Sequence, residues 1–70
     1  MADVASPVTG SVFQVNCAVG DKVSTGDEMI VLESMKMEVP VEAPIDGTVA
    51  ELKVEVGQTV NEGDILAVVN

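Results

Sequence analysis

The chain contains the stretch SPVTGSVFQVNCAVGDKVSTGDEMIVLE at residues 6–33 and a close copy, APIDGTVAELKVEVGQTVNEGDILAVVN, at residues 43–70. The copies align without a gap at an offset of 37 residues, and nine of the 28 aligned pairs are identical. All six glycines of the chain fall into three aligned pairs. Because glycine is favoured where the backbone needs a positive φ or a close approach, the two halves must share the same bends. This repetition predicts a domain with two-fold quasi-symmetry.

Each copy has the residue pattern of β-strands. Valine is abundant, and no window has the sustained i, i+3, i+4 apolar spacing of an amphipathic helix. We predict buried strands at residues 28–33 and 64–69, and half-exposed strands at residues 15–19 and 52–56, where apolar and polar or small residues alternate. Residues 37–43 also alternate, and we expect Pro40 at a strand edge or bulge because proline cannot donate a ladder hydrogen bond.

The turns of the two copies are predicted to match as well. Residues 19–27 and 56–64 have the pattern of a loop, a short strand and a turn, and each ends in Gly-Asp. We interpret Asp27 and Asp64 as turn-capping residues, because the repeat explains their pairing without a catalytic role. The chain is thus predicted to be one all-β domain, residues 1–70, of seven or eight short strands. A flattened β-barrel or small sandwich would bury their apolar faces together.

Composition excludes several function classes. The net charge is −9, with three lysines and no arginine, which argues against a nucleic-acid surface and against docking on anionic lipid. The strongly apolar run at residues 29–32 is far too short to span a bilayer, and no signal peptide is recognisable. Cys17 is the only cysteine and there is no histidine, so neither an internal disulfide nor a common zinc pattern is expected. These features lead us to expect a cytoplasmic protein.

The two halves are joined through the segment ESMKME, residues 33–38, which is predicted to form the tip of a β-hairpin. Tight hairpin turns usually contain Asn-Gly or Asp-Gly, but this tip carries Met35, Lys36 and Met37. Exposed apolar residues at a protruding tip often mark a contact surface, and methionine adapts well to partners. The two methionines therefore call for an explanation beyond the turn itself.

Three interpretations of Lys36 compete. It could be an ordinary solvated turn residue, but this leaves the flanking methionines unexplained. It could be a catalytic lysine that forms a Schiff base, but burial or a neighbouring cation is then needed, and the flanking residues Glu33 and Glu38 favour the ammonium form. It could also be an attachment point, because a long side chain at the tip of a compact domain can carry a tethered group between active sites.

The residues around Lys36 resemble the E-[A/S]-M-K-M signature of biotinyl domains, the biotin carboxyl carrier modules of biotin-dependent carboxylases. The resemblance covers the whole chain, since it includes the AP-x-x-G-x-V pattern at residues 43–49 and the V-x-x-G-D-x-L pattern at residues 60–66. It implies a flattened β-barrel of two four-stranded sheets, often called a barrel-sandwich hybrid. The chain is too short for the thumb insertion of some carriers, so the resemblance is to the thumbless type.

The resemblance also implies a function. Biotin protein ligase would attach biotin covalently to Lys36, and the tethered biotin would carry carboxyl groups from a biotin carboxylase to a carboxyltransferase. The domain would catalyse neither reaction. Met35 and Met37 would assist recognition by the ligase, while Glu33 and Ser34 complete the motif. The isolated domain is expected to be monomeric.

Two alternatives to a biotin carrier are also compatible with the sequence. The first is a lipoyl carrier of a 2-oxo acid dehydrogenase type complex, which has the same fold but usually an Asp or Ala before the lysine. The second is an interaction module of this fold without a cofactor, which would not need the Met-Lys-Met sequence. Outside the tip, we interpret Cys17 as a small core residue, and Lys22 and Lys53 as solvated residues.

Overall fold

A computed structural model describes the whole chain, residues 1–70. It consists of eight strands and contains no helix, hence no helix that could cross a membrane. The strands are β1 (Ala2–Ala5), β2 (Gly10–Val15), β3 (Lys22–Val23), β4 (Glu28–Ser34), β5 (Met37–Glu42), β6 (Gly47–Leu52), β7 (Thr59–Val60) and β8 (Ile65–Val69).

The strands form two antiparallel sheets of four strands each, in the orders β1-β8-β6-β3 and β5-β4-β2-β7. The prediction of an all-β fold with two four-stranded sheets is therefore confirmed. The sheets are not closed on themselves, so the flattened barrel is a sandwich of two open sheets. Each sheet takes two strands from each half of the chain, and consequently neither half can fold its own sheet alone.

The pairing register repeats with the same offset as the sequence. Leu32 faces Val39 in one sheet, and Val69 faces Ala2 in the other, 37 residues away in each case. Strand β1 is therefore the structural counterpart of β5, although the sequence alignment begins only at Ser6. The hairpin tip between β4 and β5 corresponds to the place where the two chain ends meet.

The core lies between the sheets and is almost entirely aliphatic. Its largest fully buried side chains include Met29, Ile30, Leu32 and Leu66, which belong to the inner strands β4 and β8. Burying such side chains provides the main favourable term for a domain of this size. The buried strands predicted at residues 28–33 and 64–69 are thereby confirmed, with small shifts of their ends.

The half-exposed strands predicted at residues 15–19 and 52–56 are wrong. Strands β2 and β6 end at Val15 and Leu52, and residues 16–19 and 53–56 lie outside the ladders. The alternation persists in part, since Val54 is buried between the exposed Lys53 and Glu55. The alternation of apolar and polar residues thus correctly predicted an extended segment with alternating exposure. It could not predict whether a neighbouring strand would pair with that segment.

The turn predictions hold. Asp27 accepts a hydrogen bond from the Ser24 amide at 2.8 Å, and Asp64 accepts one from the Asn61 amide at the same distance. Four glycines in the turns have φ between 90° and 96°. Pro40 lies in β5, which is an edge strand, as its missing amide hydrogen requires.

Candidate functional site

The hairpin that joins β4 to β5 carries the candidate site at its tip. Ser34 faces Met37 as the last pair of the ladder, so that Met35 and Lys36 form a two-residue turn. Their φ angles are 52° and 65°, which is the pattern of a type I′ turn. Such a turn matches the twist of the flanking strands, but glycine or asparagine normally supplies the positive φ. The tip therefore keeps two bulky residues in a conformation that costs them free energy.

The side chains of this turn project into solvent. Met35 is 92% exposed and Met37 is 64% exposed, whereas the methionine in the core, Met29, is 1% exposed. Lys36 is exposed as well, and its amine has no hydrogen bond or ion pair with another residue. The structure thus presents a free amine between two exposed thioether side chains, as the sequence predicted.

The strands below the turn place two carboxylates opposite each other. Glu33 and Glu38 are paired across the β4–β5 ladder, and both are exposed. The single ion pair of the chain joins Lys53 to Glu51 at 3.4 Å, so neither carboxylate of the hairpin binds Lys36. Lys36 therefore lies near two carboxylates of the hairpin but forms no ion pair with either of them.

A second segment supports the hairpin from the side. The Ser34 hydroxyl donates a hydrogen bond to the Thr9 carbonyl at 2.9 Å. Gly10 packs so closely that a Cβ atom there would lie 2.5 Å from the Glu33 carbonyl oxygen. Residues 9 and 10 were not predicted as part of the site. The glycine was visible in the repeat, but only the pairing of β2 with β4 shows that it lies beneath the hairpin.

The chemistry available at the tip is that of an exposed primary amine. The open cleft of the structure, about 510 Å³, is lined by residues of positions 16–29 and by none of the hairpin tip. No group of histidine, cysteine, aspartate and glutamate side chains is arranged to hold a metal ion. A group carried by Lys36 would therefore be held by a covalent bond and not by an enclosing pocket.

The other candidate residues have structural roles. Cys17 is half-buried at the margin of the core, and burial, together with the nearby Asp21 carboxylate, raises the pKa of its thiol. Because thiolate is the reactive form, the shift favours an unreactive core cysteine. Lys22 and Lys53 are exposed, far along the chain from the hairpin tip.

Comparison with known proteins connects this geometry to a family. The sequence profile of the family described as "Biotin-requiring enzyme" matches residues 1–69. The gamma subunit of methylmalonyl-CoA decarboxylase from Propionigenium modestum is 54% identical over 35 residues, which are 50% of this chain and 26% of that protein. The biotinylated protein TB7.3 homolog from Mycobacterium leprae is 46% identical over 41 residues, which are 59% of this chain and 58% of that protein.

The fold recurs within a much larger enzyme. The crystal structure of Kluyveromyces lactis urea carboxylase matches with a TM-score of 0.93 at 36% identity, over 99% of this chain and 6% of that chain. The matched segments thus span 26% and 58% of the two sequence relatives and a small fraction of the carboxylase. The likeness to the two larger proteins therefore concerns one segment of each.

Proposed function

The chain belongs to the family of biotin-requiring enzymes, whose profile covers residues 1–69, and on this premise we propose that it is a biotin carboxyl carrier with Lys36 as its attachment residue. The observation that carries the proposal is the exposed, unpaired Lys36 at the tip of the β4–β5 hairpin, between two exposed methionines. The tip projects a long side chain into solvent, which suits a group that must be reached by several enzymes.

Attachment is a ligase reaction at the Lys36 amine. The amine must first lose a proton to a base of biotin protein ligase, since an ammonium group has no lone pair. Its nitrogen then attacks the carbonyl carbon of biotinyl-adenylate. A C–N amide bond forms, the bond from that carbon to the phosphate oxygen breaks, AMP leaves, and the nitrogen releases its second proton to solvent. The exposed type I′ turn gives the ligase access to the amine without unfolding the hairpin.

The role of the loaded carrier is to move a carboxyl group. Bound biotin supplies a ureido nitrogen that can accept a carboxyl group and release it to an acceptor. We propose that the partners are biotin protein ligase, a biotin carboxylase and a carboxyltransferase, and that the carrier itself catalyses neither transfer. In support, the Ser34 hydroxyl is engaged by the Thr9 carbonyl, and the two carboxylates of the hairpin are exposed and oppose each other. The tip thus offers an attachment site and not an assembled group of catalytic residues.

The flanking methionines favour biotin over lipoate as the attached group. Met35 and Met37 present apolar, adaptable surface on both sides of Lys36, which suits recognition by a biotin ligase. A lipoyl carrier of a 2-oxo acid dehydrogenase type complex is the alternative, and a cofactor-free interaction module is a further one. We also propose a cytoplasmic location, for which the single free thiol of Cys17 is the support.

Intact-mass measurement tests the proposal. The unmodified chain is incubated with ATP, biotin and biotin protein ligase, and in parallel with lipoate and a lipoate ligase. We expect a gain of one biotinyl group, which Lys36→Ala abolishes and which Lys22→Ala and Lys53→Ala retain. Labelling that survives Lys36→Ala would refute the assignment of the site. Lipoylation without biotinylation would favour the lipoyl carrier, and no modification of either kind would favour the interaction module.

A further inference from the structure

The hydroxyl of Ser34 adds a contact to the hairpin that the strand ladder does not provide. Ser34 is the last residue of β4 and directly precedes the turn. The regular pairing of β2 with β4 begins one residue further from the tip, where Ser11 faces Glu33. The hydrogen bond from the Ser34 hydroxyl to the Thr9 carbonyl, at 2.9 Å, therefore extends the attachment of β4 up to the base of the turn.

Thr9 is itself held in place. Its hydroxyl oxygen accepts a hydrogen bond at 3.1 Å from the amide of Glu62, in the turn between β7 and β8. At the equivalent position of the other half, Asp46 accepts hydrogen bonds from the Thr25 amide at 2.6 Å and from its hydroxyl at 3.0 Å. The same contact between two loops thus occurs once in each half of the domain. Beside the hairpin, Thr9 also accepts, at its carbonyl, the hydrogen bond from the Ser34 hydroxyl.

Backbone packing strengthens the same support. A Cβ atom at Gly10 would lie 2.5 Å from the Glu33 carbonyl oxygen and 3.2 Å from the Ser34 Cβ. Residues 9 and 10 therefore lie directly against residues 33 and 34. Movement of the hairpin base is limited by one hydrogen bond and one close backbone contact, both within two residues of the turn.

We propose that Ser34 is a positioning residue for the modification of Lys36, an inference that rests on the proposed function. The hydroxyl bond fixes the residue that leads into the turn and thereby narrows the range of directions in which the amine points. Without the bond, the ligase must order the tip when it binds, and this ordering has an entropic cost. The cost is incurred on binding, so it raises the KM for the carrier and leaves kcat nearly unchanged.

Steady-state kinetics of biotin transfer to the unmodified full chain test this inference. We expect Ser34→Ala to raise the KM about two- to tenfold, the factor that corresponds to the loss of one hydrogen bond of roughly 0.5–1.4 kcal/mol. We expect kcat to stay within about twofold, since the seated lysine reacts as before. Ser34→Thr keeps a hydroxyl and is expected to restore most of the wild-type KM. Ser11→Ala is the matched control, because Ser11 is exposed on the neighbouring strand and its side chain makes no hydrogen bond.

Hydrogen exchange separates positioning from a general loss of stability. The amide of Met37, which lies opposite residue 34 in the last pair of the ladder, should exchange faster in Ser34→Ala than in Ser11→Ala, while the amides of the core strands remain protected in both variants. A wild-type KM for Ser34→Ala, or a Ser34→Thr variant no better than Ser34→Ala, would overturn the inference. Failure of the wild-type chain to accept biotin, or labelling of Lys36→Ala, would instead refute the proposed function.

Discussion

Glu33 and Glu38 face each other directly across the β4–β5 ladder, one pair below the pair that closes the turn of Lys36. Like charges in this arrangement destabilise a sheet. The positions 37 residues away, Asn70 and Met1, carry no acidic side chain and lie just outside the strands of the other sheet. The opposed carboxylates therefore occur only at the hairpin, where their repulsion has a cost in stability.

Relief of this repulsion should stabilise the domain. We expect Glu38→Gln to raise the free energy of unfolding by about 0.2–1 kcal/mol, as measured by urea unfolding at low ionic strength. The gain should shrink at high salt, because exposed charges are screened. Glu51→Gln is the control, since Glu51 is paired with Lys53 at 3.4 Å and its replacement should give no gain. Equal gains from both variants would show that only the net charge matters.

The turn should show a conflict between stability and function. Replacement of Met35-Lys36 by Asn-Gly, the sequence preferred in type I′ turns, should stabilise the domain by about 1–2 kcal/mol because the positive φ angles become favourable. The same variant should accept no biotin, since the amine is gone. Lys36→Ala should also accept none but should show no such gain. Unfolding curves without a difference between the two variants would contradict the assigned turn strain.

The residue before the lysine should influence the choice of attached group. We expect Met35→Asp to lower the rate of biotin transfer and to raise the rate of lipoyl transfer, because it replaces an apolar contact with a charge next to Lys36. The two rates are measured by intact mass with the respective ligases. Biotin transfer at the wild-type rate would show that Met35 does not set the choice.

Close packing at Gly10 predicts a defined loss of stability. Gly10→Ala would bring a methyl group against the Glu33 carbonyl, and we expect the free energy of unfolding to fall by about 1–3 kcal/mol. Ser11→Ala, at the next position of the same strand, should change it by less than about 0.5 kcal/mol. Thermal or urea unfolding provides the comparison. If the free energy of unfolding falls no further for Gly10→Ala than for the control, then β2 and β4 can move apart to accommodate the methyl group without loss of stability.

Asp46 predicts a dependence of stability on acid pH. Hydrogen bonds from the backbone and then from the side chain of Thr25 lower the pKa of this carboxyl. Because the folded-state pKa lies below the unfolded value of about 3.9, the carboxylate stabilises the fold above that value. This stabilisation is lost as the pH falls through the folded-state pKa. We expect wild type to lose more stability than Asp46→Asn between pH 5 and the acid limit, each monitored by thermal unfolding. Parallel curves would contradict the role of Asp46.

Much of the hairpin could be predicted from the sequence because its signals are local. The unusual Met35 and Lys36 stand between two strand patterns, at residues 28–33 and 37–43. The roles of Asp27 and Asp64 were predictable for the same reason, since each caps a turn with a residue only three positions earlier in the chain. By contrast, the partner of Ser34 lies 25 residues away, at Thr9, and no pattern in the chain connects them.

The sequence by itself determined that the fold is β, that it is built twice, and that one lysine stands at an unmatched tip. These properties follow from residue type and spacing, which determine the local conformation of short segments of the chain. Only the tertiary structure decided that each sheet draws strands from both halves, that the sheets stay open, and that Thr9 and Gly10 support the hairpin. The reason is physical. Pairing between distant strands depends on which apolar faces are buried together, and this is determined only when the whole chain has folded around one core.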